Sequence, residues 1–216
     1  MSSTLLITRP NNDPGTYYLF WWSKHIIEEC KRKGFSLIDL TKDKANKKRF
    51  LGILQKKADA KMLVVMNGHG NDNFIAGQGN DPLISFQEAG LLSNKIVYAR
   101  ACNSLNVLGK KAVDEGALAY IGYDIPFTFY KENEKLSKPL QDRTAELFLD
   151  PSNYVAISLI KGHSAGMANL RSRVKFRDNV RKLLIDGQTS PYFYTIGDLY
   201  NNMMHQICLG DKEAKL

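Results

Sequence analysis

Two short apolar runs, each followed by a residue capable of covalent or acid–base chemistry, are the feature that most constrains this fold. The first run continues from Met62 into Asn-Gly-His69-Gly70, and the second from Ile96 into Ala-Arg-Ala-Cys102-Asn-Ser. A continuous apolar stretch of this length is typical of a strand buried on both faces of a parallel sheet. Because ligands bind beyond the carboxyl ends of such strands, we expect His69 and Cys102 to lie at one sheet edge.

The remaining pattern alternates strands with helices. Strands are predicted at residues 4–8, 35–40 and 117–122, a hairpin at 73–85, and helices at 15–33, 44–57, 105–115, 165–185 and 196–209. Parallel neighbours need crossover connections, which helices usually provide. The sequence therefore predicts an α/β fold, a three-layer sandwich with a mainly parallel sheet and helices on both faces.

The composition indicates a globular chain. A length of 216 residues suits one compact domain, so we expect residues 1–216 to form a single domain. No apolar run approaches the roughly 18 residues needed to span a bilayer, and the first residues do not resemble a secretion signal. We therefore expect a cytoplasmic protein that does not bind membranes.

Cysteine usage and charge narrow the function classes further. Three widely spaced cysteines, at 30, 102 and 208, argue against a disulfide framework and a Cys-rich metal site. The net charge of +8 lies largely in residues 42–57 and 171–182, which lack the interleaved aromatics of a single-strand-binding surface. No phosphate-binding glycine motif follows the first predicted strand. We expect neither a nucleic-acid partner nor a metal or other cofactor.

The pairing of His69 with Cys102 points to nucleophilic catalysis. A single Cys or His is more often a packing residue than a catalytic one. A cysteine and a histidine at one sheet edge, however, supply a thiol and the base that ionises it. The glycine after His69 would also allow backbone to approach a substrate.

With these residues in place, the chain resembles the caspase-like cysteine peptidases of clan CD, in which one apolar strand ends in His-Gly and a later one in a small residue and Cys. The match covers roughly residues 4–123 in element order. The resemblance implies a cysteine endopeptidase that hydrolyses peptide bonds through a thioester acyl-enzyme. Cys102 would be the nucleophile and His69 the general acid and base, while the amides of Gly70 and Cys102 would stabilise the oxyanion.

The resemblance also implies partners and a form of regulation. A protein or peptide would be the substrate. Members of this family are activated by self-cleavage, by a regulatory protein partner or by calcium. The polar stretch at residues 131–143 suits a processing loop, and its composition suits an ordinary surface loop equally well.

Arg100 and Asp124 are the candidate substrate-binding residues. Residues two apart in a strand share a face, so Arg100 is expected beside Cys102, where a cation favours an acidic or neutral substrate side chain. A salt bridge to Asp124 would explain Arg100 equally well. Asp124 facing a basic substrate side chain would reverse the specificity. Asn67 is a weak candidate for a third catalytic residue, since Asn-Gly also suits a turn.

Two other function classes stay open. Gly162-His-Ser164-Ala-Gly matches the nucleophile elbow of serine α/β-hydrolases, with residues 155–160 as the strand before it and His205 as the base. A purely structural explanation is that Gly162 ends one helix and Ser164 caps the next. The third class is a catalytically inactive caspase-like binding module.

Overall fold

A computed structural model describes residues 3–216 and contains a central six-stranded sheet beside a small hairpin. The strands are β1 (Thr4–Arg9), β2 (Ser36–Thr41), β3 (Met62–Asn67), β4 (Phe74–Ala76), β5 (Pro82–Ser85), β6 (Lys95–Arg100), β7 (Ala119–Tyr123) and β8 (Gln206–Gly210). The central sheet has the order β2-β1-β3-β6-β7-β8, and β4 pairs with β5. All neighbours in the central sheet are parallel except β7 and β8.

Seven α-helices connect or follow these strands in the described residues. They are α1 (Pro14–Trp22), α2 (Lys24–Arg32), α3 (Lys47–Lys56), α4 (Lys110–Asp114), α5 (Arg143–Ile160), α6 (Ala165–Asp186) and α7 (Ile196–His205). A short π-helical turn, Leu105–Gly109, precedes α4.

The helices cover both faces of the sheet. On one face, Phe50 and Leu54 of α3 and Ala112 of α4 pack against alternate strand residues such as Val64 and Val97. On the other face, the apolar residues of α2, α5 and α6 pack against the intervening strand positions. Alternate strand residues serve opposite faces, so both sets are buried, which explains the continuous apolar runs. The predicted three-layer α/β sandwich is confirmed.

Three predicted elements differ from the structure. The predicted helix at 15–33 is divided at Ser23, a fully buried residue whose hydroxyl donates to the Leu19 carbonyl at 2.6 Å. Residues 155–160, a candidate strand, lie within α5. The predicted helix at 196–209 ends at His205, and the chain continues as β8 at the sheet edge, which places Cys208 in a strand.

None of the helices in residues 3–216 combines the length and the apolar character needed to cross a membrane.

Candidate active site

The structure places His69 and Cys102, the two predicted catalytic residues, at one edge of the sheet. β3 and β6 are parallel neighbours whose last residues, Asn67 and Arg100, pair with each other. His69 and Cys102 each lie two residues beyond these strand ends, on adjacent loops. The Gly68 N–H donates to the Arg100 carbonyl at 3.4 Å, so hydrogen bonding between the two chains extends past the strands.

Gly70 allows the histidine loop to lie directly against the cysteine loop. A Cβ atom at this position would be 2.9 Å from the Ala101 Cβ and 3.1 Å from the Cys102 carbonyl oxygen. Both distances are too short for a comfortable contact, so a side chain here would push the loops apart. The glycine after His69 therefore has a packing reason that the sequence alone could not supply.

Cys102 is the most accessible of the three cysteines in the chain. Cys30 and Cys208 are buried, whereas Cys102 is only partly so. Burial raises the pKa of the Cys102 thiol, and the backbone N–H groups of Phe127 and of Cys102 itself act against this rise. At neutral pH the resting group is therefore a neutral thiol, which needs a base to become a nucleophile.

His69 is held by a carboxylate that the sequence analysis did not identify. The Nε2 atom of His69 lies 2.7 Å from Oδ2 of Asp13, and the imidazole is otherwise half-exposed. Asp13 follows β1 and is the N-cap of α1, where its Oδ1 accepts hydrogen bonds from the N–H groups of Gly15 and Thr16. One oxygen of the carboxylate thus caps the helix while the other holds the imidazole.

The charge of Asp13 determines which nitrogen of His69 is free. Burial alone would raise the pKa of Asp13, but the N–H of Thr16, the contact with His69 and the N–H of Gly15 together bring it below its ordinary value. An ionised carboxylate can only accept, so Nε2 of His69 must donate. The lone pair of the neutral imidazole is therefore on Nδ1, which is available for proton transfer.

His69 and Cys102 both line a cavity of about 70 Å³. It is lined by Gly15, Thr16, Leu19, Gly68, His69, Arg100, Ala101, Cys102, Phe127 and Phe129. These residues come from the start of α1, from the ends of β3 and β6, and from the aromatic loop after β7. Four separate parts of the chain therefore meet around Cys102.

The backbone N–H groups predicted to stabilise an oxyanion are unoccupied. In residues 3–216, the N–H groups of Gly70 and Cys102 do not donate to any other residue's backbone or side-chain acceptor. The flanking residues close the local bridge instead, with Asn71 donating to the Phe74 carbonyl and Ala76 donating to the His69 carbonyl. Within the described residues, no other acceptor therefore competes with an oxyanion for these two N–H groups.

Arg100 lines the cavity beside Cys102, but its guanidinium is hydrogen-bonded within the protein. Its side chain is fully buried, with Nε donating to Oδ1 of Asn67 at 2.8 Å. The terminal nitrogens donate to Oδ1 of Asn153 at 2.6 Å and to the Ser23 hydroxyl at 2.8 Å. The guanidinium thus links the sheet to α5 and to the junction of α1 and α2.

Asn67 and Asp124 are also engaged elsewhere. Besides accepting from Arg100, the fully buried Asn67 donates to the Thr8 carbonyl at 2.6 Å, and in residues 3–216 no hydrogen bond joins it to His69. Oδ1 of Asp124 lies 2.9 Å from Nδ1 of His205, and the expected salt bridge between Asp124 and Arg100 is therefore wrong. Asp124 lies just past β7 and does not line the cavity around Cys102.

The alternative serine nucleophile lacks the surroundings of a hydrolase site. Ser164 connects α5 to α6 instead of following a strand, and it is almost fully buried. His205, its proposed base, is paired with Asp124, and in the described residues no hydrogen bond joins it to Ser164. Gly162 has a positive φ of 89° after the end of α5, and Ser164 is the N-cap of α6. The segment is a helix–helix junction, in agreement with the structural explanation of Gly162 and Ser164.

No cluster of three or more His, Cys, Asp or Glu side chains in residues 3–216 is arranged to hold a metal ion.

Comparison with known proteins supports the fold. No family model matches this sequence, and no curated protein matches it either. Among solved structures, the chain is similar to the complex of the pro- and mature domains of RgpB from Porphyromonas gingivalis, with a TM-score of 0.61 at 13% sequence identity. The match covers 99% of this chain and 48% of that chain, so this chain spans about half of its length. The likeness shows a caspase-like α/β fold.

Proposed function

We propose that this chain is a caspase-like cysteine peptidase domain that hydrolyses peptide bonds in a protein or peptide substrate. The observation that carries the proposal is that Cys102 and His69 line one cavity at the carboxyl edge of the sheet, with His69 held by Asp13 at 2.7 Å. A thiol, a base and an orienting carboxylate are the parts that nucleophilic acyl transfer requires.

In the first half of the reaction, the Cys102 sulfur attacks the carbonyl carbon of the scissile bond. Its proton passes to Nδ1 of His69, the nitrogen that Asp13 does not engage. The carbonyl oxygen becomes an oxyanion, which the N–H groups of Gly70 and Cys102 stabilise. The C–N bond then breaks as His69 gives the proton to the leaving amine, and a thioester on Cys102 remains.

In the second half, water hydrolyses the thioester. Nδ1 of His69 takes a proton from the water, whose oxygen attacks the thioester carbon. When the C–S bond breaks, the proton returns to the sulfur and the carboxylic acid product leaves. Asp13 stabilises the imidazolium that forms in each half, because its charge is fixed next to Nε2.

The raised pKa of Cys102 agrees with this order of events. A thiol that is neutral at rest is not a strong nucleophile, so its deprotonation by His69 is coupled to substrate binding. In residues 3–216, the hydrogen bond of the His69 ring is to Asp13, and none joins the ring to the Cys102 sulfur. We therefore propose a base-assisted attack instead of a permanent thiolate–imidazolium pair.

The test is peptide hydrolysis by the purified chain and by matched variants. We expect cleavage by the wild-type chain and by the control Cys208→Ser, and loss of at least about a thousandfold in Cys102→Ser and His69→Ala, as for removal of a nucleophile or its base. A chain that cleaves no peptide while Cys102 stays unreactive would instead favour an inactive binding module. Equal activity in wild type and Cys102→Ser would refute the proposed nucleophile.

A further inference from the structure

The cavity beside Cys102 has a largely apolar lining. Leu19 is supplied by α1, Ala101 by the cysteine loop, and Phe127 and Phe129 by the aromatic loop after β7. The aromatic side belongs to a continuous cluster, since the rings of Phe127 and Phe129 are 6.0 Å apart and Phe127 is 4.7 Å from Tyr123. Thr16 also lines the cavity, but its hydroxyl accepts hydrogen bonds from the N–H groups of Asn12 and Asp13 at the start of α1.

Arg100 also lines the cavity, and its hydrogen bonds decide what the cavity can accept. The guanidinium has no exposed surface, and its donors are bonded to Asn67, Asn153 and Ser23. An acidic side chain could reach it only by breaking these bonds. No carboxylate in residues 3–216 pairs with Arg100, so its positive charge is uncompensated. A basic substrate side chain in this cavity would be repelled by this positive charge.

The volume restricts the size of the side chain. A cavity of about 70 Å³ has space for roughly five water molecules, or a similar number of non-hydrogen side-chain atoms. Alanine, valine and leucine side chains fit this space. The side chains of phenylalanine and tryptophan have more non-hydrogen atoms than this.

We propose that this cavity is the subsite for the residue immediately before the cleaved bond, and that it selects small, uncharged apolar side chains over acidic and basic ones. The inference rests on the proposed peptidase function, because that function places the scissile carbonyl beside Cys102. It replaces the expectation that Arg100 pairs with an acidic substrate, since Arg100 is bonded within the protein. Leu19, Phe127 and Phe129 are the specificity-determining residues.

Two measurements on the same chain test the subsite. The first is hydrolysis of a fluorogenic peptide series that varies only the residue before the cleaved bond, through Ala, Val, Leu, Phe, Asp and Lys. The second is binding of the matching peptide aldehydes, measured as protection of Cys102 from iodoacetamide. An aldehyde adds reversibly to the thiol, its carbonyl carbon bonding to sulfur while the oxygen takes up the proton. This second measurement needs no turnover.

We expect Ala, Val and Leu to exceed Asp and Lys by at least about tenfold in kcat/KM and in aldehyde affinity, and to exceed Phe as well. Hydrolysis with a clear Lys or Asp preference would overturn the subsite while the peptidase stands. Protection in the apolar order without hydrolysis would leave the subsite standing and overturn the peptidase. Absence of both hydrolysis and protection would overturn both proposals.

A variant tests the wall directly. Phe129→Leu removes part of the aromatic side, so the Phe substrate should gain at least about fivefold relative to the Ala substrate. Phe86→Leu is the matched control, because Phe86 belongs to a short turn after β5 and does not line the cavity. An unchanged ratio in Phe129→Leu, or the same change in both variants, would contradict the assignment.

Discussion

The Asp13→Asn substitution separates the two roles of the Asp13 carboxylate, which caps α1 and holds the His69 ring. The substitution preserves the helix cap and changes the contact with His69. Oδ1 of Asp13 caps α1 through Gly15 and Thr16, and an asparagine oxygen can accept the same two hydrogen bonds. Oδ2 faces Nε2 of His69 at 2.7 Å, and the asparagine amide would place an N–H donor there. To accept a hydrogen bond from this amide, Nε2 of His69 must give up its proton, and the neutral ring then carries its proton on Nδ1. The Nδ1 atom can then no longer accept a proton from Cys102.

The magnitude follows from the bond that is lost. Hydrogen bonds to charged groups contribute about 1.5–3 kcal/mol, which corresponds to roughly a 10- to 150-fold change in rate. We expect the Asp13→Asn substitution to lower kcat/KM by a factor within this range while KM changes little. The reason is that the lost hydrogen bond matters most in the transition state, when His69 is protonated. Stability should change by less than about 0.5 kcal/mol, since the cap remains.

The Asp13→Ala variant measures how much the helix cap contributes to stability. Alanine removes both tasks, so this variant should lose activity to a similar extent and also lose about 1 kcal/mol of stability. Activity is measured as peptide cleavage and stability as urea unfolding. The tautomer of His69 is read from the ¹⁵N shifts of its ring. An Asp13→Asn variant with wild-type kcat/KM, or with its His69 proton still on Nε2, would refute the orienting role.

Other substitutions and conditions test separate parts of the account. Limited iodoacetamide treatment should label Cys102 ahead of the buried Cys30 and Cys208, and faster as pH rises towards the raised pKa of the Cys102 thiol; preferential labelling of either buried cysteine would count against this order. Arg100→Ala should cost at least about 3 kcal/mol in urea unfolding, because several buried acceptors lose their donor, whereas the exposed Arg181→Ala should stay within about 0.5 kcal/mol; equal costs would contradict the buried network. Gly70→Ala should lower kcat at least about tenfold by displacing the cysteine loop, and a fully active variant would show that the loops tolerate separation. The folded-state pKa of Asp13 is lowered, so its stabilisation is present above the unfolded value of about 3.9 and lost as pH falls through the folded value; acid titration of wild type against Asp13→Ala should therefore show their stability difference shrinking below pH 4, and a difference that grows with acid would contradict the sign.

The parts of the fold that follow from local pattern were predictable from sequence. β3 and β6 are apolar because both faces of the sheet are covered, so their ends, and with them His69 and Cys102, could be located directly. The hairpin of β4 and β5 was marked by Gly77, Gly79 and Asp81-Pro82 between short apolar pieces. These signals are local in the chain and need no tertiary information.

The parts that failed depend on contacts distant in sequence. Asp13 is 56 residues from His69, and its local pattern, an aspartate before Pro14 and three residues before Thr16, indicates only a helix N-cap. The burial of Arg100 depends on acceptors from α5 and from Ser23, which no pattern around Arg100 reveals. β8 continues from an amphipathic helix without a Gly or Pro break, so its change to a strand is decided by pairing with β7.

Trapping the acyl-enzyme tests the central claim most directly. The chain is mixed with a peptide ester that has a small apolar residue at the reacting carbonyl, quenched in acid within seconds, and analysed by mass spectrometry after digestion. The account predicts one added acyl group on the peptide that contains Cys102, removed by hydroxylamine as a thioester should be, and absent in Cys102→Ser. Turnover of the ester with no acyl group on Cys102, or with the group on Ser164, would contradict it.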